Sequence, residues 1–306
     1  MRVENSVQGF TLVEMLVVIA VIGILAGLLL PGLARGKAKA NRIKCVNNLR
    51  QINAAMLSFS HTYEGRLPWM LTAKQGEALW QGLYGKEHTG AHHLWDVRFI
   101  FLPAPIRKEL VTARLLASPC DSQVAPWAEL ELSEGRWQGF GSAFDGVHVH
   151  MDRRAISYAV HLGGDMQRPS AIIALTRNVA GEVSYEFEYP ASTQRPDYAE
   201  FFGASLLNAK QGSPLHGFIG NAETDPAKLQ NFAMTGLSQS QGQVMLADGS
   251  VKMSNDADLA DAIKAHAQTS GGVYIGVNEN IARPTGTGGT THYMPPVFFR
   301  ENSELF

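Results

Sequence analysis

The sequence predicts an α+β fold in which one long N-terminal helix packs on an antiparallel β-sheet. Twenty uncharged residues lie between Glu14 and Arg35, which is long enough for a helical membrane anchor. A helical period continues from this run to Tyr63, so the second half of the same helix is predicted to be amphipathic. Toward the C-terminus, strand-like segments flank Asp248-Gly249, a strong signal for a hairpin turn.

Composition excludes several classes of protein. The 306 residues are 45% hydrophobic and 18% charged, which is too apolar for a disordered chain. Two cysteines exclude a disulfide-dense scaffold and a Cys-only zinc site. A mean hydropathy of -0.07 excludes several membrane spans but allows one. The net charge of -2 argues against a surface built for nucleic acid, so no nucleic-acid partner is expected.

Charge is divided unevenly along the chain. Residues 1–50 hold seven basic and two acidic side chains, a net charge of +5. Residues 51–306 hold the other 19 basic and 26 acidic side chains, a net charge of -7. The N-terminal arm and the body are therefore expected to lie in different surroundings.

The apolar run has the properties of a membrane span. At about 1.5 Å per residue it reaches roughly 30 Å as a helix, and it is apolar on every face. A buried core helix and a cleaved secretory signal are the rival interpretations. The cleaved secretory signal is disfavoured because the apolar region of such signals is usually only about 7–15 residues long. The pattern also continues into a helical face formed by Cys45, Leu49, Ile52, Met56, Phe59 and Tyr63.

Glu14 interrupts the otherwise apolar N-terminus. At mid-membrane a carboxylate costs about 2.5–3.5 kcal/mol on insertion scales, and it costs less near the interface. One interpretation is that Glu14 reaches the interface as an end residue. The other is that Glu14 pairs with a positive group inside an assembly.

The segment Gly9–Ile19 resembles the N-terminal motif of type IV pilins and type II secretion pseudopilins. The resemblance implies a leader over residues 1–9 and cleavage between Gly9 and Phe10 by a prepilin peptidase, which also methylates the new amine of Phe10. It further implies that Glu14 meets the Phe10 amine of a neighbouring subunit as a filament grows. The pair would set the height of each incoming subunit, because misplacement leaves two charges unpaired.

Small residues and a proline extend the resemblance along the helix. Gly23 and Gly27, with a second pair at Gly32 and Gly36, allow close approach of helix backbones, and Pro31 removes one helical hydrogen bond. A count of charges near the span would place the basic side in the cytoplasm. The resemblance implies instead a single-pass inner-membrane anchor with the body in the periplasm, in contact with an assembly platform and other subunits.

The body contains short stretches similar to those of a pseudopilin-like subgroup. They are Cys45–Ile52, Tyr63–Pro68, Ser118–Asp121, Ile156–Val160 and Val244–Lys252. Periodicity in the rest of the body predicts a central strand at 170–176, a strand at 182–189 and a short helix at 256–267. Residues 66–150 show no clear period and are treated as a variable insertion.

Two side-chain sets in the body leave alternatives open. Cys45 and Cys120 allow a disulfide, which could stabilise by roughly 4 kcal/mol at most, and equally allow two buried thiols. His148, His150 and Asp152 would share one face of a strand, as a metal site or as a polar surface edge. The resemblance makes Asp248 a candidate calcium ligand, whereas its sequence context makes it a turn residue. No cofactor is expected.

The prediction is a pilin-like α+β subunit of a type II secretion pseudopilus or related type IV filament, and not an enzyme. No nucleophile elbow, phosphate loop or HExxH helix occurs in the sequence. Two alternatives remain: an anchored module that binds surface polysaccharide or protein without polymerising, and a metal-dependent hydrolase. The expected segments are a leader at 1–9, an apolar helix at 10–35 and a globular domain at 36–306, divided into helix 36–63, insertion 66–150 and β-rich 153–306.

Overall fold

The chain divides into two compact units, Met1–Asn41 and Arg42–Phe306. A computed structural model describes residues 12–84, 97–122, 124, 143–144, 149–150, 156–161, 163–180, 198–199, 217–222, 233–269, 281–282 and 290–291. Helix α1 (Leu12–Thr62) begins in the first unit and ends in the second. The strand predicted at 182–189 lies outside the described residues.

The second half of α1 is amphipathic, as predicted. Its buried side chains are Cys45, Leu49, Ile52, Asn53, Ala55, Met56, Phe59 and Ser60. The helix ends because Glu64 and Gly65 adopt positive φ angles of 55° and 85°, and the Gly65 amide donates 2.8 Å back to the Ser60 carbonyl. Tyr63 lies one residue beyond the helix and stacks on Phe59 with 4.4 Å between ring centroids.

Five further helical segments of the second unit are described between α1 and the main sheet in sequence. They are α2 (Ala73–Tyr84), α3 (Val97–Ile100), α4 (Ala104–Leu110) and two 3-10 turns, at Pro68–Met70 and Ala113–Leu116. Leu67, Trp80 and Phe99 from this region are buried in the same core as α1. The described residues of the predicted insertion 66–150 therefore contribute side chains to the core, and its character as a variable insertion stays a prediction.

Among the described residues the main sheet has five antiparallel strands, in the order Ile281–Ala282, Tyr158–His161, Ile172–Thr176, Gly242–Leu246 and Val251–Ser254. The strand predicted at 170–176 is its central strand. Its strands are β3 (Tyr158–His161), β4 (Ile172–Thr176), β8 (Gly242–Leu246), β9 (Val251–Ser254) and β10 (Ile281–Ala282). Six two-residue strands pair elsewhere: β1 (Ala143–Phe144) with β2 (Val149–His150), β5 (Val179–Ala180) with β7 (Gly217–Phe218), and β6 (Tyr198–Ala199) with β11 (Thr290–Thr291).

The predicted hairpin and C-terminal helix are both present. Strands β8 and β9 are joined at Asp248-Gly249, where Gly249 has φ +85° and the Asp248 carboxylate accepts 2.8 Å from the Ser250 amide. Helix α5 (Asp256–Gln268) begins with a capping box between Asn255 and Asp258, which satisfies amide groups at its N-terminus.

Within the second unit the sheet has a core on each face. On the face toward α1, the buried side chains include Tyr158, Val160 and Ile173. On the face toward α5, Ala159, Ile172 and Leu175 lie in one cluster with Leu259 of α5. A shift in the β4–β8 pairing between Ile172 and Ala174 places both Ile173 and Ala174 in the α1-side core. This layer order confirms the α+β class predicted from the sequence.

Val111, at the end of α4, has φ +62° and ψ -43° and is 73% exposed. The Thr112 amide donates 2.6 Å to the Leu110 carbonyl across it, which closes a strained three-residue turn. We expect Val111→Gly to raise the free energy of unfolding by about 1 kcal/mol, because relief of strain outweighs the backbone entropy of glycine. Urea denaturation checks this. Val111→Ala, which keeps a Cβ, is the control, and a destabilised glycine variant would contradict the expectation.

Candidate functional site: an exposed apolar helix and a buried polar cluster

The N-terminal part of α1 presents apolar side chains to its surroundings on every face. From Leu12 to Lys37 each residue is exposed, and Leu12, Ile19 and Leu28 are 80%, 65% and 75% exposed. By length and composition this helix can cross a membrane. An exposed apolar surface of this extent indicates burial against lipid or against other helices.

Glu14 lies in the first turn of α1, and its side chain is exposed. A carboxylate there is stabilised by the partial positive charge of the helix N-terminus, typically by about 0.3–1 kcal/mol. This places the negative charge at the start of the apolar surface. Gly9 and Phe10, the predicted processing residues, lie outside the described residues.

The predicted glycine pairs are not needed for packing against the described part of the chain. A Cβ added at Gly23, Gly27, Gly32 or Gly36 would meet no atom within 4 Å. The second pair follows the first by nine residues, which is about two and a half turns at about 3.6 residues per turn. The two pairs therefore face opposite sides of the helix. Pro31 lies within the continuous helix and has no amide hydrogen to donate to the Gly27 carbonyl.

In the second unit, Cys45 is the centre of a buried polar cluster. The Ser118 hydroxyl donates 3.1 Å to Cys45 Sγ, which also lies 3.3 Å from the Tyr158 hydroxyl in a hydrogen bond. The Cys120 amide donates 3.1 Å to Ser118 Oγ, and the Ser118 amide donates 2.9 Å to Ser157 Oγ. Both cysteines are free thiols in this structure, so the disulfide allowed by the sequence is not formed in it.

Burial dominates the electrostatics of this cluster. Burial raises the pKa of the Cys45 thiol to about 12, although the hydrogen bonds with Ser118 and Tyr158 oppose the rise. Burial likewise raises the pKa of Tyr158 well above its usual value of 10.0. Both groups are therefore neutral near pH 7, and the cluster positions α1 without introducing a charge.

A buried ion pair lies beside the cluster. Arg177, which follows β4, donates from Nε to Asp121 Oδ2 at 2.5 Å and from Nη2 to Asp121 Oδ1 at 2.9 Å. Both residues are 1% exposed. Arg177 Nη2 also donates 3.4 Å to the Ala233 carbonyl. Arg177 is not predicted from the sequence, in which its only signal is a single cation directly after an apolar strand.

The short stretches noted in the sequence meet in this part of the fold. Cys45, Ser118, Asp121 and Tyr158 belong to three of them. A fourth stretch, Val244–Lys252, is joined to α1 by a 3.3 Å hydrogen bond from Asn53 Nδ2 to the Leu246 carbonyl. These stretches therefore connect α1 to the sheet, and their observed contacts are structural.

The metal candidates are only partly described. His148 and Asp152 lie outside the described residues, and His150 is placed only as part of β2. Among the residues that the structure does describe, no group of three His, Cys, Asp or Glu side chains could hold a metal ion. Asp248 occupies the hairpin turn and accepts a hydrogen bond from Ser250.

Comparison with known proteins is informative for the N-terminal segment. Residues 5–30 match the family model described as the prokaryotic N-terminal methylation motif. The chain is 41% identical over 56 residues to type II secretion system core protein G of Escherichia coli K12, covering 18% of this chain and 39% of that protein. The same protein of Klebsiella michiganensis is 45% identical over 53 residues, covering 17% and 37%.

Type II secretion system core protein G of Pectobacterium carotovorum is 43% identical over 49 residues, covering 16% of this chain and 31% of that protein. The chain thus matches less than half the length of these relatives. No solved structure matches it. The methylation motif and the long apolar helix behind it therefore make the N-terminal segment of this chain similar to those of pilin- and pseudopilin-like proteins.

Proposed function

We propose that this chain is a structural subunit of a type II secretion pseudopilus or a related type IV filament, and not an enzyme. The observation that carries the proposal is the exposed apolar part of α1 from Leu12 to Lys37, which has Glu14 in its first turn and overlaps the methylation motif. In this proposal α1 first anchors the subunit in the inner membrane, with the body in the periplasm. The same helix later joins the core of a filament.

The exposure of the helix supports both stages. Its apolar side chains require a nonaqueous environment, and lipid and a bundle of identical helices each supply one. Transfer of the helix from lipid to a helix bundle has little hydrophobic driving force, so helix packing and polar pairing must select the assembled state.

The two glycine pairs support a filament over a closed dimer. Helix backbones approach most closely at small residues, and Gly23/Gly27 and Gly32/Gly36 offer such positions on opposite sides of α1 at different heights. One helix can then contact two different neighbours through two different surfaces. Contacts of this head-to-tail type propagate into a helical array when they do not close into a ring.

Pairing of Glu14 with the Phe10 amine of the next subunit completes the proposal. Both charges are costly in an apolar core, and each offsets the cost of burying the other. The expected partners are therefore a prepilin peptidase, which exposes and methylates that amine, further subunits and an inner-membrane assembly platform.

The mature N-terminus tests the processing step. We expect the N-terminal peptide isolated from cells to begin at Phe10 and to carry one additional methyl group, because the motif implies cleavage after Gly9. Mass spectrometry of the digested protein measures both features. A peptide that retains Gly9, or one that begins elsewhere, would remove processing by a prepilin peptidase and the filament function that depends on it.

A further inference from the structure

The chain's two cysteines lie far apart in sequence and close to one side chain in the fold. Cys45 is on α1 and is 0% exposed, whereas Cys120 is in the loop that follows the 3-10 turn Ala113–Leu116 and is 1% exposed. The Ser118 hydroxyl contacts both residues, at 3.1 Å from Cys45 Sγ and 3.1 Å from the Cys120 amide nitrogen. One serine therefore separates the two cysteines.

We propose that Cys45 and Cys120 form an intrachain disulfide in the exported protein and that this bond links α1 to the loop before the sheet. The inference rests on the proposed function, because it requires the body to lie on the oxidising side of the membrane. The two thiols lose two protons and two electrons, and a new S–S bond forms between them. A thiol oxidoreductase in its disulfide form accepts both electrons and leaves as the dithiol.

Burial determines when the bond forms. Disulfide exchange requires a thiolate, and burial raises the pKa of Cys45 to about 12, so the folded protein presents almost no thiolate at neutral pH. Oxidation therefore precedes closure of the core around Cys45. Once formed, the bond is shielded from small reductants by the same packing.

The position of the bond gives it a mechanical role. Within the described part of the chain, Cys45 is the first buried residue along α1. Cys120 directly precedes Asp121, which pairs with Arg177 at the end of β4. A covalent link here secures the helix to the sheet at the point where it enters the core, so force applied to the anchor reaches the body without separating the two.

Thiol labelling of the full-length protein in cells tests the bond. Cells are quenched in acid, and the denatured protein is treated with a polyethylene-glycol maleimide, before or after reduction. We expect no label without reductant and two labels after reduction. Cys45→Ser and Cys120→Ser each leave one thiol and should accept one label without reductant, whereas Ser118→Ala keeps both cysteines and should behave as the wild type.

Protease digestion of spheroplasts, performed on the same cells, separates this inference from the proposed function. If the protease digests the body and the wild type accepts two labels without reduction, the disulfide is absent and only this inference fails. If the body is protected from the protease, the periplasmic placement fails, and the disulfide inference fails with it.

A second measurement needs no substituted protein. In the purified full-length protein in detergent, reductant should make the two cysteines available to the maleimide slowly while the protein is folded. Denaturant plus reductant should make them available at least 100-fold faster. Equal rates under the two conditions would show that the bond is not enclosed by the core and would overturn the proposed order of oxidation and folding.

Discussion

Glu14→Gln is expected to reduce incorporation of the subunit into filaments by at least 100-fold while leaving the body folded. Glutamine keeps the size of the side chain and removes its charge, so the Phe10 amine of the neighbouring subunit is left in the apolar core without its counter-charge. Removing one member of a buried ion pair typically costs about 3–5 kcal/mol, and about 1.4 kcal/mol corresponds to a factor of ten in an equilibrium constant.

The measurement compares filament-bound and membrane-bound protein after shearing and centrifugation, with electron microscopy of the sheared fraction. Glu109→Gln is the matched control, because it removes one carboxylate from an exposed position on α4. The variant must also be shown to carry the mature Phe10 terminus, so that failed assembly is not confused with failed processing.

The result decides between two functional classes. A filament subunit depends on the charge at residue 14, whereas an anchored binding module that never polymerises does not. Wild-type amounts of Glu14→Gln in the sheared fraction would contradict the pairing. If neither the wild type nor Glu14→Gln enters the sheared fraction, the result would favour the anchored binding module.

Two local sequence signals explain which parts of the fold could be predicted. The buried face of α1 repeats over about four turns from Cys45 to Phe59, so its positions can be identified without any tertiary information. The turn at Asp248-Gly249 is predictable for a different reason: only a few residue types adopt the positive φ that it requires. Each signal lies within one continuous segment of the sequence and reflects a strong preference for burial or for one backbone conformation.

The elements that were missed depend on tertiary contacts. Helices α3 and α4 are only 4 and 7 residues long, which is too short for a helical period to be recognised. Trp80 and Phe99 meet edge to face at 5.3 Å across a gap in sequence, and nothing local in either segment indicates the other. Sequence pattern alone therefore could not show that this region contributes Trp80 and Phe99 to the core.

The candidate site shows the same division. Glu14 stands out in the sequence because a single charge beside a long apolar run is unusual wherever it occurs, and its pairing with Phe10 stays a prediction. The role of Asp121 could not be predicted, because its partner Arg177 is 56 residues away and resembles an ordinary surface cation in the sequence. Only the structure shows that both are buried.

Asp121→Asn is expected to lower the free energy of unfolding of the body by about 3–5 kcal/mol, the largest stability effect that we expect from one substitution. Asparagine fills the same space but carries no negative charge, so Arg177, which is 1% exposed and also donates to the Ala233 carbonyl, loses the carboxylate that accepts from its Nε and Nη2. Loss of the carboxylate from a buried ion pair costs far more than the lost hydrogen bond alone.

Urea denaturation of the full-length protein in detergent measures the effect, with Asp261→Asn as the matched control. Asp261 pairs with Lys264 at 3.3 Å, but the two side chains are 78% and 72% exposed, so its loss should cost less than about 0.5 kcal/mol. The double variant Asp121→Leu with Arg177→Met removes both charges and should be more stable than Asp121→Asn, because apolar side chains of similar volume can replace a buried pair at little cost. If Asp121→Asn and Asp261→Asn lower the free energy of unfolding equally, the pair of Asp121 and Arg177 is hydrated in solution. The pair then cannot be the contact that holds the loop containing Cys120 on the sheet.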